Sequence, residues 1–200
     1  MSAQLMIYGD LNSGNCLKVK WVCDALAIAY GWIDVDTMKG ETRTPEFLAL
    51  NDAGQVPVVK LAGGETLAQS NAIIRYLARD SRFVPRDALM QAKMDEWLFW
   101  EQYSHEPYVA VCRFMMVYLG KSADQLDSDK VRRGYAALTR MEGRLSQKPF
   151  LAGDAFTLAD VSLLAYTRVA HEGGFSLADY PAIRRWIADS ERMLGLSPIA

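Results

Sequence analysis

Residues 54–78, "GQVPVVKLAGGETLAQSNAIIRYLA", contain the clearest pattern of secondary structure in the chain. Two short segments of strand-type residues, at 58–61 and 65–67, lie on either side of Gly63-Gly64. Strand residues around a glycine pair are typical of a β-hairpin, because glycine tolerates the backbone angles of a tight turn. The stretch therefore predicts two antiparallel strands, and its remaining residues predict a helix that follows them directly.

Upstream of the hairpin, the sequence alternates between strand-like and helix-like patterns of apolar residues. The predicted elements are a strand at 5–8, a helix at 16–30, a strand at 32–35, a short helix at 45–50 and, after the hairpin, a helix at 70–79 with Ser70 as its N-cap. In the order β-α-β, then β-β-α, the first two strands are joined by a helical crossover and pair in parallel. The first part of the chain is therefore predicted to be an α/β unit with a mixed sheet.

The pattern changes near Arg79, after which apolar residues recur with helical spacing only. The helical runs cover residues 90–119, 129–145, 158–170 and 183–194. We expect an α/β domain at 1–79, a linker at 80–87 that contains Pro85, and an all-α helical-bundle domain at 88–200.

Composition excludes several classes of protein. The chain has 200 residues, 50% of them hydrophobic, which suits one large domain or two small domains with apolar cores. Its net charge of −2 argues against nucleic acid as a partner. It has no apolar run long enough to cross a bilayer, and its first residues lack a signal-peptide pattern, so we expect a cytoplasmic protein that does not bind membranes. Three scattered cysteines and two histidines favour free thiols and no metal.

One short motif points to thiol chemistry. Ser13-Gly14-Asn15-Cys16 follows the first predicted strand and has the form of Cys-x-x-Cys without its first cysteine. A helix N-terminus stabilises a thiolate through its N–H groups and its dipole, and a serine hydroxyl adds a hydrogen bond. Taken alone, the local sequence favours a plain N-cap or turn serine at Ser13. Cys16 would have a depressed pKa if it were exposed, or it would be a small buried hydrophobic residue.

Together, four motifs resemble those of cytosolic glutathione transferases. They are "SGNC" at the first helix, "GQVPVV" before the hairpin, "ETLAQSNAIIRYLA" after it, and "FLAGDAFTLADV" in the helical half. The resemblance covers nearly the whole chain. It implies a thioredoxin-like first domain, glutathione as co-substrate, a homodimer, and a role in detoxification by attack of the glutathione thiolate on a small apolar electrophile. The bound tripeptide would then supply the sulfur that the motif lacks.

The resemblance also suggests residues for the thiol. Ser13 lies where serine-type transferases of the theta and delta classes carry their activating serine, and Cys16 lies where beta-class bacterial transferases carry a cysteine. Two alternatives to the transferase stay open: thiol-disulfide exchange with glutathione through Cys16, and a glutathione-binding module without catalysis.

For the rest of glutathione, the resemblance implies a cis peptide bond between Val56 and Pro57, which exposes the main chain of Val56 to the cysteinyl residue. It assigns Gln69 and Ser70 to the γ-glutamyl end and Gln55 to the glycine carboxylate.

The helical half carries an unusually aromatic run around residues 94–118. By resemblance, this run forms the pocket of the second substrate, with these candidates: Trp100, Tyr103, His105, Tyr108 and Arg113. The alternative is that most of these rings are core and that His105 is a hydrogen-bonded bystander. "TLAD", residues 157–160, is expected to be an N-capping box, which supports a helix and says nothing about substrate.

Overall fold

The computed structural model describes residues 5–199. The chain forms two compact units, one up to Ser81 and one from Arg82 onward. Phe83 is buried and its carbonyl accepts a hydrogen bond from the Leu158 N–H (3.1 Å), so the start of the second unit packs with the helices that follow. The functional limits proposed above, with a linker at 80–87, stay a prediction.

The first unit is the α/β domain that the sequence predicts. Its elements are β1 (Leu5–Gly9), α1 (Gly14–Ala25), β2 (Tyr30–Asp34), α2 (Pro45–Leu48), β3 (Val58–Lys60), β4 (Thr66–Ala68) and α3 (Ser70–Leu77). The sheet has the strand order β2-β1-β3-β4. β1 pairs with β2 in parallel, and the hairpin of β3 and β4 joins the other edge of β1 in antiparallel fashion. The predicted mixed sheet and hairpin are confirmed.

Two predictions about helix ends are wrong. α1 ends at Ala25 rather than at residue 30, because Ala27 adopts a left-handed φ of 54° and Tyr30 already pairs with Leu5 in the sheet. Ser70 is the first residue of α3, and the N-cap position belongs to Gln69, which makes no side-chain cap. In both places the pairing of strands decides where the helix can begin or end.

The second unit is helical, and its described residues contain no strand. Its helices are α4 (Ala88–Trp100), α5 (Glu106–Val117), α6 (Ser128–Leu145), α7 (Leu158–Thr167) and α8 (Pro181–Leu194). A π-helical turn, Glu101–His105, divides the run predicted at 90–119 into α4 and α5. Pro107 lies at the start of α5 and has no N–H to continue the regular hydrogen-bond ladder, which accounts for the break.

α7 is the centre of the helical unit, since all ten of its residues are buried. The predicted capping box at its start is confirmed: Thr157 caps the helix, and the Asp160 carboxylate accepts from the Thr157 N–H at 2.9 Å. This element orders the second unit without contributing an exposed reactive group.

Candidate functional site

Ser13 occupies the N-cap position of α1 without using its side chain as a cap. Its backbone is extended (φ −83°, ψ 119°), and its carbonyl accepts from the Leu17 N–H at 3.0 Å, but its hydroxyl makes no cap hydrogen bond. The side chain is half-buried. The hydroxyl is therefore held at a helix N-terminus, where N–H groups and the helix dipole favour an anion.

Cys16 lies one turn further along α1 and is fully buried. Its Sγ accepts a hydrogen bond from the Asp10 N–H (3.4 Å). Burial raises the pKa of the Cys16 thiol to about 11, against smaller lowering effects of the Asp10 backbone and the Ser13 side chain. The exposure that a reactive cysteine needs is absent at this position, and Cys16 matches the alternative of a small buried hydrophobic residue.

Tyr8, the tyrosine at the end of the first strand, is half-buried and packs against a small apolar cluster. The cluster consists of Val35, Phe47 and Val58. Its ring therefore belongs to the core of the first unit.

The segment before β3 has the backbone that its motif implies. The Val56–Pro57 peptide bond is cis, as expected. Gln55 has an exposed side chain, and its carbonyl accepts from the Asn51 Nδ2 at 2.8 Å. Gly54 has a φ of +60°, and a Cβ there would lie 2.9 Å from the Thr42 carbonyl oxygen, so the loop requires glycine at this point.

At the start of α3, Gln69 has a backbone conformation that non-glycine residues rarely adopt (φ 69°, ψ 108°), and its side chain is exposed. Such strained positions concentrate at binding sites, where the surrounding structure holds them. Ser70 is buried beside it, and its Oγ donates to the Asn15 Oδ1 at 3.1 Å. Through this bond the structure brings the first turn of α3 against the first turn of α1.

Two polar residues of this region were not singled out from the sequence. Asn15 accepts from Ser70, and it also accepts from the buried Lys18, whose Nζ lies 2.8 Å from its Oδ1. Side chains three residues apart on a helix are neighbours, and this spacing was the one feature of the sequence that indicated a contact between Asn15 and Lys18. It does not reveal that the lysine is buried.

In the helical unit, the five candidates for the second-substrate pocket have different surroundings. The Trp100 ring packs edge-on against Trp97 with 5.0 Å between centroids, and the Arg140 guanidinium lies 4.6 Å from its centroid. Tyr103, in the π-helical turn, is 83% exposed. Of the five, Tyr103 is thus the side chain most available to a ligand.

His105 is fully buried and bonds to Thr167. The Thr167 Oγ1 donates to the Leu163 carbonyl at 2.7 Å and lies 3.0 Å from the His105 Nε2, so Nε2 carries the hydrogen and donates to the threonine. The side chain is hydrogen-bonded in the core, as the bystander interpretation predicts.

Tyr108 and Arg113 are each engaged with another element of the helical unit. The Arg133 Nη1 on α6 donates to the Tyr108 hydroxyl at 3.0 Å. Arg113 has a side chain that is 12% exposed and forms an ion pair with Glu172 at 2.6 Å. Contact between any of the five candidates and a second substrate stays a prediction.

Residues 5–199 include no cluster of three or more histidine, cysteine, aspartate or glutamate side chains that is arranged to hold a metal ion. Over the same residues, no helix combines the length and the apolar character that a membrane span requires.

Two family models match the chain. Residues 12–80 match the glutathione S-transferase N-terminal domain, and residues 127–189 match the glutathione S-transferase C-terminal domain. Glutathione S-transferase 3 of Zea mays is 31% identical over 195 residues, which is 92% of this chain and 87% of the maize protein.

Solved structures agree with these matches. The crystal structure of a glutathione S-transferase from Pseudomonas fluorescens is 43% identical, with a TM-score of 0.91 and 94% of each chain covered. The structure of a possible glutathione S-transferase from Rhodopseudomonas palustris is 36% identical, with a TM-score of 0.92 and 96% of each chain covered.

Proposed function

The chain belongs to the glutathione S-transferase family of enzymes, and on that premise we propose that Ser13 stabilises the glutathione thiolate for attack on a small apolar electrophile. The observation that carries the proposal is the Ser13 hydroxyl, which makes no cap hydrogen bond at the start of α1 while the neighbouring Cys16 thiol is buried. The serine hydroxyl, and not the cysteine sulfur, is thus the group suited to meet a ligand.

The proposed role is electrostatic. The Ser13 hydroxyl donates to the sulfur and the N-terminus of α1 adds partial positive charge, so both favour thiolate over thiol. Each unit by which the site lowers the thiol pKa corresponds to about 1.4 kcal/mol of preference for the thiolate. The thiolate then forms a bond to carbon of the electrophile, and the leaving group departs with the electron pair of the broken bond. The protein contributes stabilisation and position and forms no covalent intermediate.

We propose that the tripeptide lies along the segments described above. The main chain of Val56, next to Pro57, pairs with the cysteinyl residue, and Gln55 meets the glycine carboxylate. Gln69 accepts from the γ-glutamyl ammonium group, and Ser70 lies at the γ-glutamyl carboxylate. The strained backbone of Gln69 supports a binding role there.

We propose that the electrophile binds to the helical unit, where it contacts the aromatic side chains of Trp100, Tyr103 and Tyr108. The exposure of Tyr103 supports this role. The ion pair of Arg113 and the buried hydrogen bond of His105 suit residues that support the aromatic run from within. We further propose a homodimer that works in the cytoplasm, where its three unpaired cysteines would stay reduced.

The proposal is tested by the ultraviolet absorbance of the glutathione thiolate on binding at neutral pH, with wild type, Ser13→Ala and Cys16→Ser side by side. We expect the thiolate band in wild type and in Cys16→Ser, and its loss in Ser13→Ala. Turnover of a small aryl halide should fall by about 100-fold or more in Ser13→Ala, as when one donor to a developing anion is removed.

Other outcomes would favour other functions. Loss of the band in Cys16→Ser alone would favour disulfide exchange through the cysteine. Glutathione binding by wild type without any thiolate band would favour a binding module and overturn the transferase mechanism.

A further inference from the structure

A buried lysine lies beneath the first turn of α1. Lys18 is 0% exposed, and its Nζ donates to the Asn15 Oδ1 at 2.8 Å. Removing an ammonium group from water costs several kcal/mol unless the interior compensates for it. An ammonium group can only donate, so the Asn15 amide must present its oxygen, and not its nitrogen, to Lys18.

The same amide oxygen holds Ser70. The Ser70 Oγ donates to the Asn15 Oδ1 at 3.1 Å, and the two lone pairs of that oxygen accommodate both donors. Lys18 therefore orients Asn15, and Asn15 anchors the Ser70 hydroxyl, whose one hydrogen is used in this bond, so the donor that Ser70 can offer a carboxylate is its backbone N–H at the first position of α3. Contacts that fix a binding segment in one conformation reduce the ordering cost when the ligand arrives.

The charge of Lys18 also acts on the surroundings of the thiol site. It lowers the pKa of the Cys16 thiol, although burial outweighs this effect. The bond between Asn15 and Ser70 means that the N-termini of α1 and α3 meet here, and each carries partial positive charge. The buried ammonium thus adds a full charge where two helix termini already favour anions.

We propose that Lys18 is a positioning residue for glutathione, which acts through Asn15 on Ser70 and adds positive charge at the junction of α1 and α3. The proposal rests on the proposed function, because Ser70 and the N-terminus of α1 are the groups assigned there to the γ-glutamyl carboxylate and the thiolate. Because Lys18 is fully buried, its proposed action on the ligand is indirect.

The test compares Lys18→Met, which removes the charge and keeps an unbranched chain of similar length, with Lys20→Met on the same helix. Lys20 is a suitable control because its ammonium pairs at the surface with Asp24 (2.6 Å). Calorimetry would give the Kd of glutathione and of S-methylglutathione, which has no thiol to ionise. We expect Lys18→Met to raise both Kd values about tenfold or more, in line with the loss of a charge-assisted network, and Lys20→Met to change them by less than about twofold.

A double-mutant cycle with Ser70→Ala distinguishes positioning from general stability. If Lys18 acts through Ser70, then Lys18→Met should weaken binding much less in the Ser70→Ala background than in wild type. Lys18→Arg, which keeps a charge and a donor, should restore most of the affinity. Circular dichroism at the assay temperature checks folding, and if Lys18→Met does not fold, Asn15→Ala tests the same link and should show the same loss.

An unchanged Kd in folded Lys18→Met would overturn the inference, and so would an equal loss of affinity with and without the Ser70 hydroxyl. In either case, binding of glutathione by wild type would leave the proposed function standing. Failure of wild type to bind glutathione at all would overturn both.

Discussion

At the scale of single residues, the two ends of Ser13-Gly14-Asn15-Cys16 have opposite environments although they are three positions apart. Ser13 is the last residue before α1 and keeps a half-buried hydroxyl. Cys16 faces the sheet, where a Cβ on Gly9 would lie 3.1 Å from its Sγ. The absence of a side chain at Gly9 makes room for the sulfur, so the strand and the helix together remove Cys16 from solvent.

The burial of all three cysteines predicts slow reaction with Ellman's reagent at pH 8 in the native protein. Burial raises the thiol pKa of Cys16 to about 11 and that of Cys23 to about 12, so little of either is thiolate at this pH. After unfolding in guanidinium chloride, we expect rapid release of three equivalents per chain, matching the three cysteines of the sequence. A fast native phase that Cys16→Ser abolishes would contradict the burial of Cys16 and strengthen the exchange hypothesis.

At the scale of elements, α6 shows how one glycine serves packing while another on the same helix does not. Gly134 faces Phe175, and a Cβ there would lie 2.4 Å from two atoms of the ring. The next residue on the helix, Tyr135, also packs edge-on against the ring at 5.1 Å between centroids. Gly143 has open space at the corresponding point.

We therefore expect Gly134→Ala and Gly143→Ala to change stability in opposite directions. Alanine gains up to about 1 kcal/mol over glycine from helix propensity at either position. At Gly134 the displacement of a packed ring costs about 1–3 kcal/mol and outweighs this gain, so the free energy of unfolding should fall. Urea unfolding of both variants measures the difference, and equal stabilisation by the two would show that Phe175 moves aside without cost.

The break between α4 and α5 interrupts a pattern that the sequence continues. Apolar periodicity continues through residues 90–119, yet the chain forms a π-helical turn at Glu101–His105. A π-helical turn holds one residue more than an α-helical turn, so it shifts which side chains face solvent. In this turn Tyr103 is exposed and His105 is buried.

At the scale of whole folding units, the helical unit depends on one buried carboxylate. The Asp160 Oδ1 accepts from the Leu151 N–H (2.9 Å) and from the Trp186 Nε1 (2.8 Å), and its Oδ2 accepts from the Thr157 N–H (2.9 Å) and the Thr157 hydroxyl (3.2 Å). The loop before α7, the start of α7 and the middle of α8 thus meet at a single side chain. Burial raises the pKa of Asp160 to about 6, although these donors oppose the rise.

We expect Asp160→Asn to lower the free energy of unfolding by about 2–4 kcal/mol at pH 7, because in either orientation the amide nitrogen would face a backbone or indole N–H group, which can only donate. The difference in the free energy of unfolding between wild type and Asp160→Asn should be larger at pH 5 than at pH 7. In wild type, folding raises the Asp160 pKa from 3.8 to about 6, so between these values the folded state binds the extra proton. The stability of wild type therefore falls as pH rises through this window, by on the order of 1 kcal/mol per unit, and asparagine does not titrate.

Urea unfolding of wild type and Asp160→Asn at pH 5, 6 and 7 measures this difference. A difference that stays constant with pH would mean that Asp160 remains ionised throughout and that its four hydrogen bonds outweigh its burial.

Sequence alone determined the fold class, the β-α-β and β-β-α order, the capping box and the resemblance to glutathione transferases. These depend on local features: the period of apolar residues, glycine turns, and short motifs such as "GQVPVV" that specify a backbone path. The same features left the end of α1 and the start of α3 in error. The pairing of Tyr30 with Leu5 involves residues distant in sequence, and Gln69 adopts a backbone conformation that glutamine rarely shows.

Which side chains are available for chemistry depends on tertiary packing. It buried Cys16 and His105, directed the hydroxyl of Ser70 toward Asn15, and placed the charge of Lys18 inside the first unit. Burial is a property of the face that a helix turns toward its neighbours, and that face is chosen by packing against the sheet or against other helices. For this reason the motif at residues 13–16 could not by itself distinguish a half-buried serine from a fully buried cysteine, whereas the fold separates the two, and the part of either residue in thiol chemistry stays a prediction.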